Sequence, residues 1–489
     1  MISILTKIKQ AIQFILFDRV FDRPVRRIAQ RRQFLLFSLL AFVVVACTRT
    51  TQPEQLPAAP AAAVTSDAPL LIWWEKGFNL EEDEALQNLV IDWEKQTGHA
   101  VDLVLHTTDD FPQKTQRAIQ AGKPPDIVMS HNAERGLYPH LAWAGKLVDV
   151  SDVVQPVKAL YPESILEAVN LQNQAAHRRS YYAVPFSQST NFIFYWRDLV
   201  EQAGFKDDDI PKDWDQFWNF WKQVQDKLQQ KGQDIYGLGF SFSDKAGDTY
   251  FLFEQVLEAY DAQLLTPDGT LQADDPTVRQ KIRQSLAWYT RFYQQQYAPP
   301  DATKWLNPDN NSRLLNRSIV MTPNTSLTIP ATVRQDQLMY RKQLGTLEFP
   351  NKPSGQPMRH ILTIKQAVIF AESKNQAIAK EFLAHLIQPP VLGNYLKAAG
   401  IRNQPISKPI WNDPYWTNPE DPHLSVSTKL LNSDRTRPFP SVYHPAYSVV
   451  TQENVWGKAI NRVVVENVSV EQAVDEALNR IKQIFAEWQ

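Results

Sequence analysis

Short apolar runs alternate with amphipathic stretches along most of this chain, and the alternation predicts its elements. Residues 70–74 read as a strand. Leu86, Leu89, Val90 and Trp93 then recur at helical spacing, and Gly98 stands where a helix end favours a left-handed residue. Residues 101–105 read as a second strand, 111–121 as a helix closed by Gly122, and 126–129 as a third strand. Strand–helix–strand repeats of this length predict βαβ units, with parallel strands covered on both faces.

The pattern changes after Tyr181. Strands are predicted at 191–196, 236–240, 318–322, 344–349 and 362–370, and helices at 214–228, 275–297 and 376–387. Trp214, Phe217, Trp218 and Trp221 share the apolar side of the first of these helices. The last helix opens on a capping box, Ser469 with Gln472, and carries Val470, Ala473, Val474, Ala477, Leu478, Ile481 and Phe485 at spacings of three and four. No internal repeat is present. At 489 residues the chain exceeds one compact core, which predicts two lobes.

The amino terminus sets the compartment. Residues 34–46 form an apolar run directly after Arg31-Arg32, too short for a bilayer span, which needs about 20 residues. A basic stretch, a short apolar run and a small residue before the cut describe a signal peptide, here with an unusual extension over residues 1–24. The ending Val44-Val45-Ala46-Cys47 resembles a bacterial lipobox, which implies lipid on Cys47 and anchoring at the outer face of the cell membrane. Arg31-Arg32 fits either the general or the twin-arginine export route. Residues 48–68, rich in Pro, Ala and Thr, read as a tether.

Charge and composition narrow the function. Residues 1–46 hold eight basic and two acidic side chains, a net of +6, so the remainder carries −8 of the overall −2. An acidic body argues against nucleic acid. With one cysteine there is no internal disulfide and no Cys-based zinc site. No nucleophile elbow, His-Glu-x-x-His or phosphate-binding glycine motif is present, so no catalytic residue, cofactor or metal is expected. A glycosidase carboxylate pair is the remaining enzyme alternative. A binding module serving a sensor or adhesion system is the other.

Several segments, in order, resemble the extracellular solute-binding proteins of family 1, the sugar-binding subunits of ABC importers. They are LLIWWE, EKQTGHAVDL, AIQAGKPPDIVMS, GKLVDVSDVV, YYAVPFSQSTNFIFYWRDLVEQAGF, RSIVMTPNTSL, AESKNQAIAKEFLAHLIQ and SVEQAVDEALNRI. The family usually has Tyr-Asn where this chain has Tyr195-Trp196, and Gly-Lys where it has Asn316-Arg317. The resemblance implies a two-lobed, type II periplasmic-binding-protein-like α/β fold, with central parallel or mixed sheets flanked by helices and a ligand cleft between the lobes. Lobe one is expected over 69–187 plus 361–410, and lobe two over 188–360 plus 411–489. It also implies a monomer whose partners are a small sugar-like solute, the permease subunits and, through Cys47, membrane lipid.

A sugar needs planar polar groups for its hydroxyl rim and aromatic faces for its C–H surfaces. Trp74, Glu75 and Lys76 end the first strand. Ser130, His131, Asn132, Glu134 and Arg135 follow the third, at the edge where open α/β sheets bind ligands. Gln188, Ser189, Thr190 and Asn191 lie at the inferred crossing, where small polar residues in an aromatic-rich strand point to a ligand rather than to core. Asp248 and Tyr250 follow a Gly247 loop, and Asn324, Thr325 and Ser326 follow a strand. Arg359 and His360 stand at the second crossing, and Trp411, Tyr415 and Trp416 are candidate stacking residues.

Overall fold

The computed structural model describes residues 68–108 and 110–488. The expected leader, Cys47 and the tether through residue 67 lie outside the described residues. Twelve strands are formed in this part: β1 (Leu70–Glu75), β2 (Val101–His106), β3 (Ile127–Met129), β4 (Asn170–Asn173), β5 (Arg178–Tyr181), β6 (Val184–Thr190), β7 (Phe192–Trp196), β8 (Tyr236–Leu238), β9 (Ile319–Asn324), β10 (Leu344–Leu347), β11 (His360–Ile369) and β12 (Thr436–Arg437).

The predicted βαβ units are present. β1 pairs in parallel with β2 and β3, and the helices Leu80–Thr97 and Phe111–Gln120 connect them. Gly98 ends the first helix at φ 77°, a conformation that costs a side-chain-bearing residue about 1 kcal/mol or more. Beyond β3 the sheet turns antiparallel, because β11 returns beside β3 and β6 runs along its other edge. β12 extends the edge that β11 shares with β3. The sheet is therefore mixed, in the order β2-β1-β3-β11-β6.

A second sheet has the order β10-β7-β9-β8, with β8 and β9 parallel and the other pairs antiparallel. The helices Trp214–Gln230 and Pro276–Gln294 cover it, and Trp214, Trp218, Trp288, Phe240 and Phe292 interlock between them at ring separations of 4.8–5.6 Å. The final helix starts at Ser469, whose side chain accepts from the Gln472 amide. The expected capping box is only half made, because the Gln472 side chain turns forward to Glu476.

The chain passes between the two sheets at Asn191, from β6 into β7, and again between β10 and β11. The second passage is tied down by one carboxylate. Glu258, on the helix Gly247–Ala259, accepts from Lys352 at 2.7 Å, from Arg359 at 3.1 Å and from Arg437 of β12 at 2.7 Å. Its side chain is 1% exposed. Burial alone would raise its pKa, but Arg437, Arg359 and Lys352 outweigh that and bring it down to about 2. Removing this anion leaves Arg437 and Arg359 without a carboxylate partner and Lys352 with Asp261 alone, and breaking such a buried group costs roughly 3–5 kcal/mol. Glu258→Ala is expected to lose about that much in urea-unfolding free energy; a loss below about 1 kcal/mol would contradict this role.

Candidate functional site

Parallel strands end in loops at their carboxyl edges, and polar side chains gather there because the last residues of the strands and the first of the following turns are not consumed by the sheet. Both sheets turn this edge toward a shared polar interface. From the first sheet come Glu75, at the end of β1, and residues 130–136 after β3. From the second come Gly239 and Ser241 after β8 and Asn324 at the end of β9.

On the first side a small pocket is lined by Trp74, Glu75, His131, Phe186, Lys365, Tyr395 and Asn403, among others. Trp74 and Phe186 lie 5.2 Å apart and, with Tyr395, supply apolar walls. Glu75 is 2% exposed. Its Oε2 accepts from the Ser130 hydroxyl at 2.8 Å and the His131 amide at 2.7 Å, while its Oε1 has no partner. His131 faces the Lys76 carbonyl through Nε2 at 3.0 Å. A carbonyl only accepts, so Nε2 carries the proton and the buried, unpartnered Nδ1 is an acceptor. Burial, then Lys365 and Arg402, push the His131 pKa well below its usual value and keep the ring neutral.

Lys365 enters this pocket from β11. Register shifts between Lys365 and Gln366, where β6 presents Pro185 and so offers no amide. The Lys365 ammonium donates to the His131 carbonyl at 3.3 Å. Burial, then the charge of Arg402, lower its pKa to about 7, against the pull of Glu134 and Glu75. Glu134 is also buried, its pKa raised by desolvation against Arg135 at 3.3 Å. Two further contacts join the sheets. Arg402 donates to Glu82 at 2.8 Å and to Thr328, after β9, at 3.1 Å. Arg135 lies over the ring of Phe251, 3.5 Å from its centroid.

On the second side a small pocket is lined by Asn191, Ser241, Asp248, Asn310, Asn324 and Thr325, among others, with no aromatic residue. Asp248 sits in the first turn of the helix Gly247–Ala259, not in a loop. Its pKa is raised to about 7 by burial, against Arg135 and Asn310.

The structure brings together Trp74, Glu75, Ser130, His131, Glu134 and Arg135 on one side and Asn191, Asp248, Asn324 and Thr325 on the other. It places other candidates differently. Lys76 has an exposed side chain, and its carbonyl alone faces inward. Asn132 is exposed and accepts from Arg135. Gln188, Ser189 and Thr190 are buried, each at most 2% exposed, and line neither pocket. Gln188 donates to the Pro405 carbonyl at 2.7 Å and Thr190 to the Ile361 carbonyl at 2.8 Å, so their polarity serves to bind crossing segments together. Tyr250 bonds Thr451 at 3.0 Å, and Ser326 bonds Thr328 at 2.5 Å. Arg359 is held by Glu258. His360 is fully buried against Phe349, its pKa lowered to about 3 by burial and then Arg435, and it lines neither pocket. Trp411, Tyr415 and Trp416 pack on one another, with Trp411 5% and Trp416 0% exposed, because their rings complete a core rather than a cleft wall.

Sequence reasoning passed over Lys365, Tyr395, Asn403, Glu82 and Asn310. Only Lys365 carried a signal: with Gln366 it breaks an apolar strand, HILTIKQAVI. Among the described residues no cluster of His, Cys, Asp or Glu is arranged to hold a metal ion, and no helix is long and apolar enough to cross a membrane.

Residues 88–422 match the family described as bacterial extracellular solute-binding protein. The chain is 24% identical over 340 residues to the diacetylchitobiose binding protein DasA of Streptomyces coelicolor, covering 68% of this chain and 72% of that one. To the multiple sugar-binding protein of Streptococcus mutans it is 20% identical over 389 residues, covering 72% and 84%. An ABC transporter solute-binding protein from Thermotoga lettingae, solved with alpha-D-tagatose, has the same fold: the TM-score is 0.71 at 20% identity, over 85% of this chain and 99% of that one.

The Lys365 shift has a stability consequence. Its pKa of about 7 in the folded chain lies below the unfolded value of about 10.4, so between these pH values the unfolded chain binds the extra proton and stability rises with pH. Lys365→Met should remove that rise, read as the difference in urea-unfolding free energy between about pH 7 and about pH 10. An equal slope in both proteins would contradict the buried, deprotonating lysine.

Proposed function

The chain belongs to the bacterial extracellular solute-binding proteins, and we propose that it is the substrate-binding subunit of an ABC importer that captures a sugar or sugar derivative. The observation that carries this reading is the pocket at the carboxyl edge of the first sheet. There, aromatic walls from Trp74, Phe186 and Tyr395 adjoin buried polar atoms that have no partner, Glu75 Oε1, His131 Nδ1 and Asn403 Oδ1. Buried acceptors without a protein partner cost stability unless a ligand or water supplies donors, and a polyhydroxylated ring supplies both donors and an apolar face.

In this reading the sheets are the centres of two lobes, and the first takes β6 through Thr190, β11 from His360 and β12, so the expected bounds of 69–187 plus 361–410 and 188–360 plus 411–489 shift at these strands. Glu75, His131, Lys365 and Asn403 hold the solute from the first. Asn191, Asp248 and Asn324 meet it from the second. Bound solute bridges both and favours the closed arrangement, which the permease then recognises. Cys47 carries the lipid that keeps the protein beside its permease. The chain acts by binding, and no bond is made or broken.

The test is a thermal-shift panel of monosaccharides, disaccharides, polyols, glycosides and sugar phosphates. A solute at about 100 times its dissociation constant adds about 2.7 kcal/mol, a shift of a few degrees. At least one sugar should give such a shift, and Glu75→Gln should abolish it. A cooperatively folding sample that responds to none of the sugars would overturn the sugar reading.

A further inference from the structure

Both pockets are nearly full. The cavity beside Glu75 measures about 20 Å³ and the one beside Asp248 about 10 Å³, room for about one water at most. A sugar ring enters only when the carboxyl edges of the two sheets part. The bonds that cross between those edges therefore decide how readily they do.

Two of these bonds come from one short stretch. The helix Thr328–Val333, with Arg334 at its end, follows β9 and stands on the side of the second sheet. Opposite it are Glu81 and Glu82, in the first turn of the helix that leaves β1. Arg334 donates to Glu81 at 2.9 Å, the two side chains being 27% and 42% exposed. Its guanidinium rests against Gly400, where a Cβ would lie 2.7 Å from Nη1. Further in, the Thr328 hydroxyl accepts from Arg402 Nε at 3.1 Å. Arg402 donates with its other end to Glu82 at 2.8 Å, and that pair is buried. The Arg402 segment is pinned to the first sheet by the bridge between Gln188 and Gln404. Glu82 also lines the first pocket, so these bonds border the place where solute is expected.

We propose that Thr328 and Arg334 are the latch of this site: they hold the two edges together through protein groups alone, and they must let go before a solute enters. The inference deepens the capture reading above and rests on it. Neither residue lines a pocket, so both are positioning residues that act through closure. The two bonds differ in kind. The Arg334–Glu81 pair is partly in water, where salt screens it. The Thr328 bond is made by a buried guanidinium that cannot shed its proton, so its loss leaves a charged donor unsatisfied. The outer pair thus makes opening depend on salt, and the inner bond carries most of the resistance.

Fluorescence energy transfer within the full-length chain in detergent micelles, with no sugar present, tests this. Dyes are attached through Gln96→Cys and Gln229→Cys, exposed positions on helices of either side, in a Cys47→Ser background. Arg334→Ala should raise the ratio of parted to closed molecules by about two- to fivefold, the range for a partly exposed ion pair. Glu81→Ala should do the same, and the double variant should open no further than either single one. Thr328→Val, which keeps the branched shape, should raise the ratio by about tenfold or more, as befits a lost bond from a charged donor. Going from about 0.05 M to about 1 M sodium chloride should open the wild type and move Arg334→Ala far less. A purely local role would lower the melting temperature and leave the transfer efficiency unchanged. The same efficiency in wild type, in each single variant and in Thr328→Val combined with Arg334→Ala would overturn the latch. It would leave sugar capture standing, because no solute takes part, and capture is decided separately by the thermal-shift panel.

Discussion

A buried carboxylate surrounded by three cations holds the two halves of this molecule in register. Glu258 lies on a helix of the second sheet, yet Arg359 and Lys352 belong to the passage into β11 and Arg437 to β12. β11 is the strand that the first sheet shares with the second passage, and it pairs with β6, which feeds the first. Fixing the start of β11 therefore fixes the place where Lys365 emerges six residues into the pairing run. Coulomb attraction among four charges at 2.7–3.1 Å outweighs their desolvation because each cation meets the same anion with hydrogen-bond geometry.

The interface above this knot has the opposite character. Around Glu258 every charge is satisfied; between the carboxyl edges of the sheets, acceptors on Glu75, His131 and Asn403 are left open. A folded chain tolerates such atoms where binding is to occur, since the stability forgone in the free protein is recovered when a solute fills them. The shifted groups share this origin. Lys365, Glu134 and His131 are all moved chiefly by burial, each toward its neutral form, which suits a site for an uncharged, hydroxyl-rich ring.

Much of the fold was legible in the sequence because periodicity reports burial, and burial fixed the strands from β1 to β3 and the tryptophan-rich helix Trp214–Gln230. The candidate site was legible where it follows the carboxyl-edge rule, at Glu75, Ser130, His131, Glu134 and Arg135. It was not legible where polarity has two uses. Gln188 and Thr190 looked like ligand contacts and instead bond the backbone of Pro405 and Ile361, partners more than 170 residues away that no local pattern announces. Trp411 offered a stacking face and became core, since an aromatic ring does not declare whether it will pack on protein or on sugar. Asn403 reaches the pocket beside a bridge between Gln188 and Gln404, a tertiary pairing invisible to spacing.

Uptake of solute between the carboxyl edges of the two sheets is the central requirement of the proposed function. Hydrogen exchange, followed by mass spectrometry with and without a saturating sugar, addresses it directly. Slowed exchange in peptides spanning residues 74–83, 129–137, 248–255 and 402–405, from both sheets at once, is the predicted result. Protection confined to another concavity, such as the pocket formed by Leu257, Leu264, Pro440 and Tyr443, would contradict it.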